Sequence, residues 1–155
     1  MTSGASADVV ASRLARAKAE SIASEDAYVL GSDQVVEHQG AILGKAGSVQ
    51  GAETQLRRLS GSAHRLITAV ALRHPNGGVD EAFQVCAMTM RVLSDDEIRR
   101  YVRADSPLDC CGAYKIEARG IALFECIECD DFTGITGLPL MRVGHMLRAV
   151  GFSVP

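Results

Sequence analysis

Tryptophan is absent from the 155 residues, and aromatic residues of any kind make up only 5% of them. The interior must therefore be filled by Val, Leu, Ile, Ala and Met rather than by large rings. No apolar run approaches the roughly 20 residues that a membrane-spanning helix requires, so no membrane partner is expected. The opening, Met-Thr-Ser-Gly-Ala-Ser-Ala-Asp, has no basic start followed by an apolar stretch, which argues against a secretory leader. A strong charge of either sign is missing as well. The formal net charge is −3, which gives no electrostatic reason to bind long DNA or RNA. There is no internal repeat, low-complexity tract or linker.

What remains is ordinary for a globular protein: 47% hydrophobic and 23% charged residues, in a length that suits one domain with a buried core. Five cysteines are an odd number, and without a secretion signal the expectation is reduced thiols and a cytoplasmic location. A small phosphorylated ligand is compatible with the mildly acidic average, because a local pair of lysines can hold one.

The periodicity of apolar residues predicts the elements. Residues 8–23 read as a helix with Val10, Leu14, Ala17 and Ser21 on one stripe and Arg13, Arg16 and Glu20 largely on the other. A short apolar run over 27–31, ending at a glycine, reads as a buried strand, and 35–43 as a hairpin turning at Gln39-Gly40. A second helix is predicted over 49–59. Strands follow over 66–73 and 81–92, separated by the turn signal Pro75-Asn76-Gly77-Gly78. Ser94 and Glu97 form a capping box, since each side chain can satisfy a free amide of the other's residue as a helix starts; that helix should reach about Ala104. A last strand over 121–127 precedes a helix over 138–150, with Pro139 at its first position and Gly151 past its end. The order is mixed α/β with a long antiparallel portion, which a purely doubly wound parallel sheet fits badly.

Several polar residues invite a chemical reading. Asp33 follows directly on the strand 27–31, which places its carboxylate at a strand end, where α/β proteins tend to build sites; an Asp there also serves as a turn former or helix cap. Lys45 follows Gly44, so that a backbone able to approach a ligand is joined to a point charge for phosphate. The glycine spacing of a P-loop is missing, and an exposed loop lysine is the plainer alternative. Lys18, on the first helix, is by itself a solvated surface charge. The run Asp109-Cys110-Cys111-Gly112-Ala113-Tyr114-Lys115-Ile116-Glu117 gathers Asp109, Lys115 and Glu117 in a polar loop suited to ligand binding, or to an ordinary connection with a satisfied acid–base pair. Cys126 and Cys129 form a C-x-x-C. A zinc site wants a second spaced pair, which adjacent Cys110-Cys111 supplies poorly, and a redox motif is expected at a helix start rather than in a strand. The four histidines show no ligand spacing, and His64 reads as a strand-edge residue.

Taken in order, these segments resemble the Maf family of nucleoside triphosphate pyrophosphatases. Leu14-Ala15-Arg16-Ala17-Lys18-Ala19 is similar to its helix motif, and Gly31-Ser32-Asp33-Gln34-Val35-Val36 to its central Asp motif. Gly44-Lys45, the run Gln55 to Gly61, His64, Tyr101-Val102, Gly112-Ala113-Tyr114-Lys115-Ile116-Glu117 and Gly137-Leu138-Pro139-Leu140 follow in the family's order over nearly the whole chain. The resemblance implies a Maf/ITPase-like fold, an elongated mixed sheet with a long antiparallel portion flanked by helices. It implies hydrolysis of a nucleoside triphosphate to the monophosphate and pyrophosphate with Mg²⁺ or Mn²⁺, and a homodimer as partner arrangement. Carried over by residue, Asp33 is the proton acceptor, Lys18 and Lys45 bind phosphate, and Gln34 and Glu117 tune substrate choice. Gln34 rather than Thr, Glu117 rather than Gln, and Cys110 rather than Lys resemble the branch that acts on 7-methyl-GTP. An acceptor-only Glu117 suits a base that offers donors or carries positive charge, as 7-methylguanine does, and Gln34 can present a donor and an acceptor.

The family's opening strand and Ser-x-Ser-Pro-x-Arg loop have no counterpart in this sequence. The expectation is a single Maf-like domain truncated at its N-terminus, with a late start site as the favoured explanation. The alternative is a catalytically impaired nucleotide-binding remnant with an interaction or regulatory role.

Overall fold

The computed structural model describes residues 5–155; the sequence reading of the first eight residues falls partly on 1–4, outside the described residues. The element order is α1 (Ala7–Glu20), β1 (Val29–His38), β2 (Ala41–Leu43), α2 (Val49–Leu59), β3 (Ala63–Arg73), β4 (Val79–Met90), α3 (Asp95–Asp105), β5 (Phe124–Glu128) and α4 (Leu140–Ala149). Short 3-10 helices occupy Gly120–Leu123 and Phe132–Thr136. The strands form one five-stranded antiparallel sheet in the order β2-β1-β3-β4-β5, with helices flanking it. This is the mixed α/β class and long antiparallel portion expected. Central position explains β3: from Leu66 to Leu72 every residue is buried, the unbroken run of a strand covered on both faces.

Local chemistry sets the turns. Gln39 and Gly40 both adopt positive φ (52° and 78°) between β1 and β2, the geometry of a tight two-residue hairpin. The capping box is formed, with Ser94 and Glu97 satisfying each other's amides at the start of α3. Pro139 lies one position earlier than expected, at the N-cap of α4.

Residues divide into two compact units. The first comprises residues 5–34, Ile67–Val85 and Cys129–Pro155. Its core is Val70, Leu72, Val143 and Met146, with Tyr28, Leu138 and Leu147 packed against them. The second comprises Val35–Leu66 and Cys86–Glu128. There α2 packs on α3, and Arg57 bridges to Asp95 at 2.6 Å.

Three expectations are corrected. The buried stripe of α1 is Ala7, Ala11, Ala15 and Ala19, whereas Leu14 and Ala17 are exposed. A helix pressed closely on a strand needs small side chains on the contact face, so the larger apolar residues do not mark it. His64 is not an edge residue. It is 3% exposed, with its Nε2 3.0 Å from the Tyr114 hydroxyl and its ring against Tyr114 and Phe124. Among the cysteines, Cys110, Cys111 and Cys126 are free, but Cys86 and Cys129 are disulfide-bonded. The two cysteines of the C-x-x-C therefore differ in state: Cys126 lies in β5, and Cys129 follows just past its end.

Candidate active site

In the first unit the geometry begins at Gly31. A Cβ placed there would lie 2.3 Å from the Ala15 carbonyl oxygen and 2.6 Å from the Ala19 nitrogen, both backbone atoms of α1. Only glycine permits the helix to sit this close to β1. Lys18 is carried on the same stretch of helix, and its Nζ donates to the Ser32 carbonyl at 3.0 Å and contacts Asp33 Oδ1 at 2.6 Å. Side chains alternate along a strand, so Asp33 shares the face of Gly31 that meets α1.

Asp33 therefore lies within β1, not after a strand. The run Gly31-Ser32-Asp33 resembles a strand terminator in composition, yet each residue has a partner that keeps the chain extended. The Asp33 side chain is only 16% exposed, while that of Lys18 is 60% exposed. One carboxylate oxygen is held by the lysine, and Oδ2 has no hydrogen-bond partner among the described residues.

The opposite face of β1 carries Ser32 and Gln34. The Ser32 hydroxyl is 2.7 Å from the Gly137 carbonyl and 3.0 Å from that of Ala69. Gln34 Nε2 donates towards Thr68 Oγ1 (2.8 Å), the Gly134 carbonyl (2.9 Å) and the Ile135 carbonyl (3.1 Å). Thr68 in turn donates to Gly134 at 2.7 Å. The residues on either side of Asp33 thus clamp the segment 134–137. That segment is itself fixed by Asp131, which is buried and accepts from the Thr133 and Met141 amides. Burial pushes the Asp131 carboxyl upward, but the donated hydrogen bonds outweigh it and hold it below its ordinary value.

The second unit carries the other two candidates. Lys45 forms an isolated antiparallel bridge with Cys111 and is exposed; the Gly44 carbonyl before it accepts from Gln55. The 109–117 loop is shaped by left-handed Gly112 (φ 75°) and Ala113 (φ 57°), by buried Tyr114, and by the Lys115 amide, which donates to the Tyr101 hydroxyl at 2.8 Å. Lys115 Nζ lies 3.5 Å from Asp109, so the acid–base pair anticipated in this loop is present. Glu117 is exposed and makes no hydrogen bond or ion pair among the described residues. Lys18, Asp33 and Gln34 are thus brought together in one unit, while Lys45 and Glu117 belong to the other.

Sequence reasoning missed Ser32 and Thr68. Thr68 had a signal: it is the one polar residue in the apolar run Leu66-Ile67-Thr68-Ala69-Val70-Ala71-Leu72, and a buried hydroxyl needs a partner. Among the described residues no group of three or more His, Cys, Asp or Glu is placed to hold a metal on protein ligands alone. Among the described residues no helix is long and apolar enough to cross a membrane.

Comparison with known proteins adds to this geometry. The family profile described as Maf-like protein matches residues 2–150. A 7-methyl-GTP pyrophosphatase of Xanthomonas campestris pv. campestris (strain 8004) is 42% identical over 154 residues, which cover 98% of this chain and 80% of that protein. Proteins of the same name from Bdellovibrio bacteriovorus and Aromatoleum aromaticum are 42% and 45% identical over 140 and 148 residues. Those matches cover 90% and 94% of this chain, and 73% and 76% of the respective relatives.

Proposed function

This chain belongs to the Maf family, and on that premise we propose that it hydrolyses 7-methyl-GTP to 7-methyl-GMP and pyrophosphate. The observation that carries the reading is the Lys18–Asp33 pair, a carboxylate with one oxygen held by a lysine and the other without a partner among the described residues. Water attacks the α-phosphorus and Asp33 takes its proton. The bond from the α-phosphorus to the bridging oxygen breaks, and pyrophosphate leaves with that oxygen. Asp33 Oδ2 is the atom available for the proton, and the lysine fixes the orientation of the carboxylate.

Lys18 and Lys45 supply positive charge for the triphosphate, on which phosphoryl transfer chiefly depends. Lys45 is exposed with no ion-pair partner among the described residues, a state suited to meeting an anion. Gln34 and Glu117 are assigned to the base. Glu117 suits a base bearing positive charge, which favours 7-methylguanine over uracil or thymine.

A divalent cation fits the donor chemistry. Mg²⁺ is commonly held by one or two carboxylates together with substrate phosphates and water rather than by an all-protein cage. With Oδ2 of Asp33 kept for the proton, Asp33 would meet such an ion through a water ligand and the substrate phosphates would bind it directly, so the lack of a three-ligand cluster among the described residues is no obstacle. When bound, Mg²⁺ or Mn²⁺ would neutralise phosphate charge and acidify water.

The experiment is pyrophosphate release from 7-methyl-GTP, with UTP and dTTP as comparators, in the presence of Mg²⁺ or Mn²⁺. Release that prefers 7-methyl-GTP and falls by about 10² or more in Asp33→Asn supports the reading. Folded protein that raises its unfolding temperature with nucleotide yet releases no pyrophosphate is a binding protein instead.

A further inference from the structure

Gln34 is surrounded on its amide nitrogen by three oxygens. Two of them, the carbonyls of Gly134 and Ile135, can only accept. The third, Thr68 Oγ1, has a single hydrogen, and the 2.7 Å contact to Gly134 uses it. Towards Gln34, 2.8 Å away, Thr68 can then only accept as well. Both N–H groups of the Gln34 amide are consequently committed inside the protein, and the amide cannot flip without turning its carbonyl onto acceptors. Oε1 lies at the other end of the planar amide. It is not fully buried and makes no hydrogen bond among the described residues. The donor-and-acceptor role expected for Gln34 is reduced to an acceptor.

Building on the proposed function, we propose that Thr68 is a positioning residue for base selection, holding Gln34 so that Oε1 alone meets the nucleobase and accepts from one of its N–H groups. Guanine carries such donors in its N1–H and 2-amino groups; adenine has a bare N1 and a C2–H in their place. Distance makes the dependence on Thr68 acute. A methyl group in place of its hydroxyl cannot stay 2.8 Å from nitrogen, because carbon contacts begin near 3.5 Å. The amide must shift by more than half an ångström, beyond the tolerance of a positioned hydrogen bond.

The decisive comparison is kcat/KM for 7-methyl-GTP against ATP in the wild-type chain, Thr68→Val and Thr68→Ser. Thr68→Val is expected to lower the preference for 7-methyl-GTP about tenfold, mainly through KM, and Thr68→Ser to restore it to within about threefold of wild type. A general loss that leaves the ratio intact would mean a merely structural threonine and would overturn the proposal. Should Thr68→Val fail to fold, the wild-type protein still decides. Its Gln34 side-chain NH₂ protons should exchange slowly with solvent by NMR, and rapid exchange rejects the clamp. Absence of any 7-methyl-GTP turnover by wild type overturns the proposed function and the base-reading claim with it, whereas an unchanged ratio in active Thr68→Val overturns this inference alone.

Discussion

Lys18 Nζ lies 2.6 Å from Asp33 Oδ1 and 3.0 Å from the carbonyl of the preceding Ser32. The lysine thus grips both the backbone and the side chain of one strand segment, and the carboxylate is aimed before any ligand arrives. Preorganisation of this kind lowers the reorganisation needed in the reaction. Replacing Asp33 with Asn keeps its shape and removes its ability to take a proton. Asp33→Asn is expected to lower kcat by between about 10² and 10⁴. The unfolding temperature should move by no more than a few degrees, since a pair with one partner so exposed contributes about 1 kcal/mol or less. Pyrophosphate release and a thermal melt on the same sample separate the two effects.

How much of this arrangement could be read from the sequence varied with what each feature depends on. The capping box at Ser94 and Glu97, the Gln39-Gly40 hairpin and the helix Val49–Leu59 depend on neighbours a few residues away, and all were legible. The alanine face of α1 was not, because its meaning lies in Gly31, a residue on another element. Asp33 was singled out by its motif as a candidate but misplaced at a strand end. Its extended conformation is held by Lys18 on one face and by partners of Ser32 and Gln34 about 35 and 100 residues away on the other. Burial of His64 against Tyr114 and Phe124 is of the same long-range kind.

Gly31 should tolerate no side chain. Its added Cβ would meet backbone atoms at 2.3 and 2.6 Å, and backbone has no rotamer into which it can withdraw. Gly31→Ala must therefore push α1 away from β1, at a cost of about 1–3 kcal/mol, or roughly 2–12 °C in unfolding temperature for a chain of this size. Because Lys18 rides on that helix, kcat/KM should fall alongside stability. A variant with wild-type activity and melting temperature would contradict the close approach on which the Lys18–Asp33 geometry depends.

Stability should decline on mild acidification. Burial, with a smaller contribution from His38, lowers the pKa of His64 from 6.5 to about 4. The unfolded chain then binds a proton between those values that the folded chain refuses, so the contribution is fully present above pH 6.5 and is lost as pH falls towards 4. The span corresponds to roughly 3 kcal/mol for this one group. His38 is also shifted downward, chiefly by burial, and acts in the same direction. Urea unfolding at pH 7.5 and pH 5 should show the loss, and His64→Gln, whatever its own stability, should show a shallower dependence on pH. An equal slope in both proteins would remove His64 as its source.

Glu117 offers the sharpest check on the charge of the base. Its carboxylate makes no hydrogen bond or ion pair among the described residues, so replacing it breaks no contact within the protein. Glu117→Gln preserves size and one acceptor oxygen while removing the negative charge. If the carboxylate attracts the positive charge of 7-methylguanine, the variant should lose about 1.4 kcal/mol of transition-state binding for 7-methyl-GTP, a tenfold fall in kcat/KM. GTP, which lacks that charge but presents the same donor edge, should lose less. Raising the salt concentration should narrow the gap between the two substrates in the wild type and leave the variant nearly indifferent, because screening acts only where a charge pair exists. Equal losses for both nucleotides would instead mean that Glu117 serves as a hydrogen-bond acceptor and that the preference for the methylated base arises elsewhere.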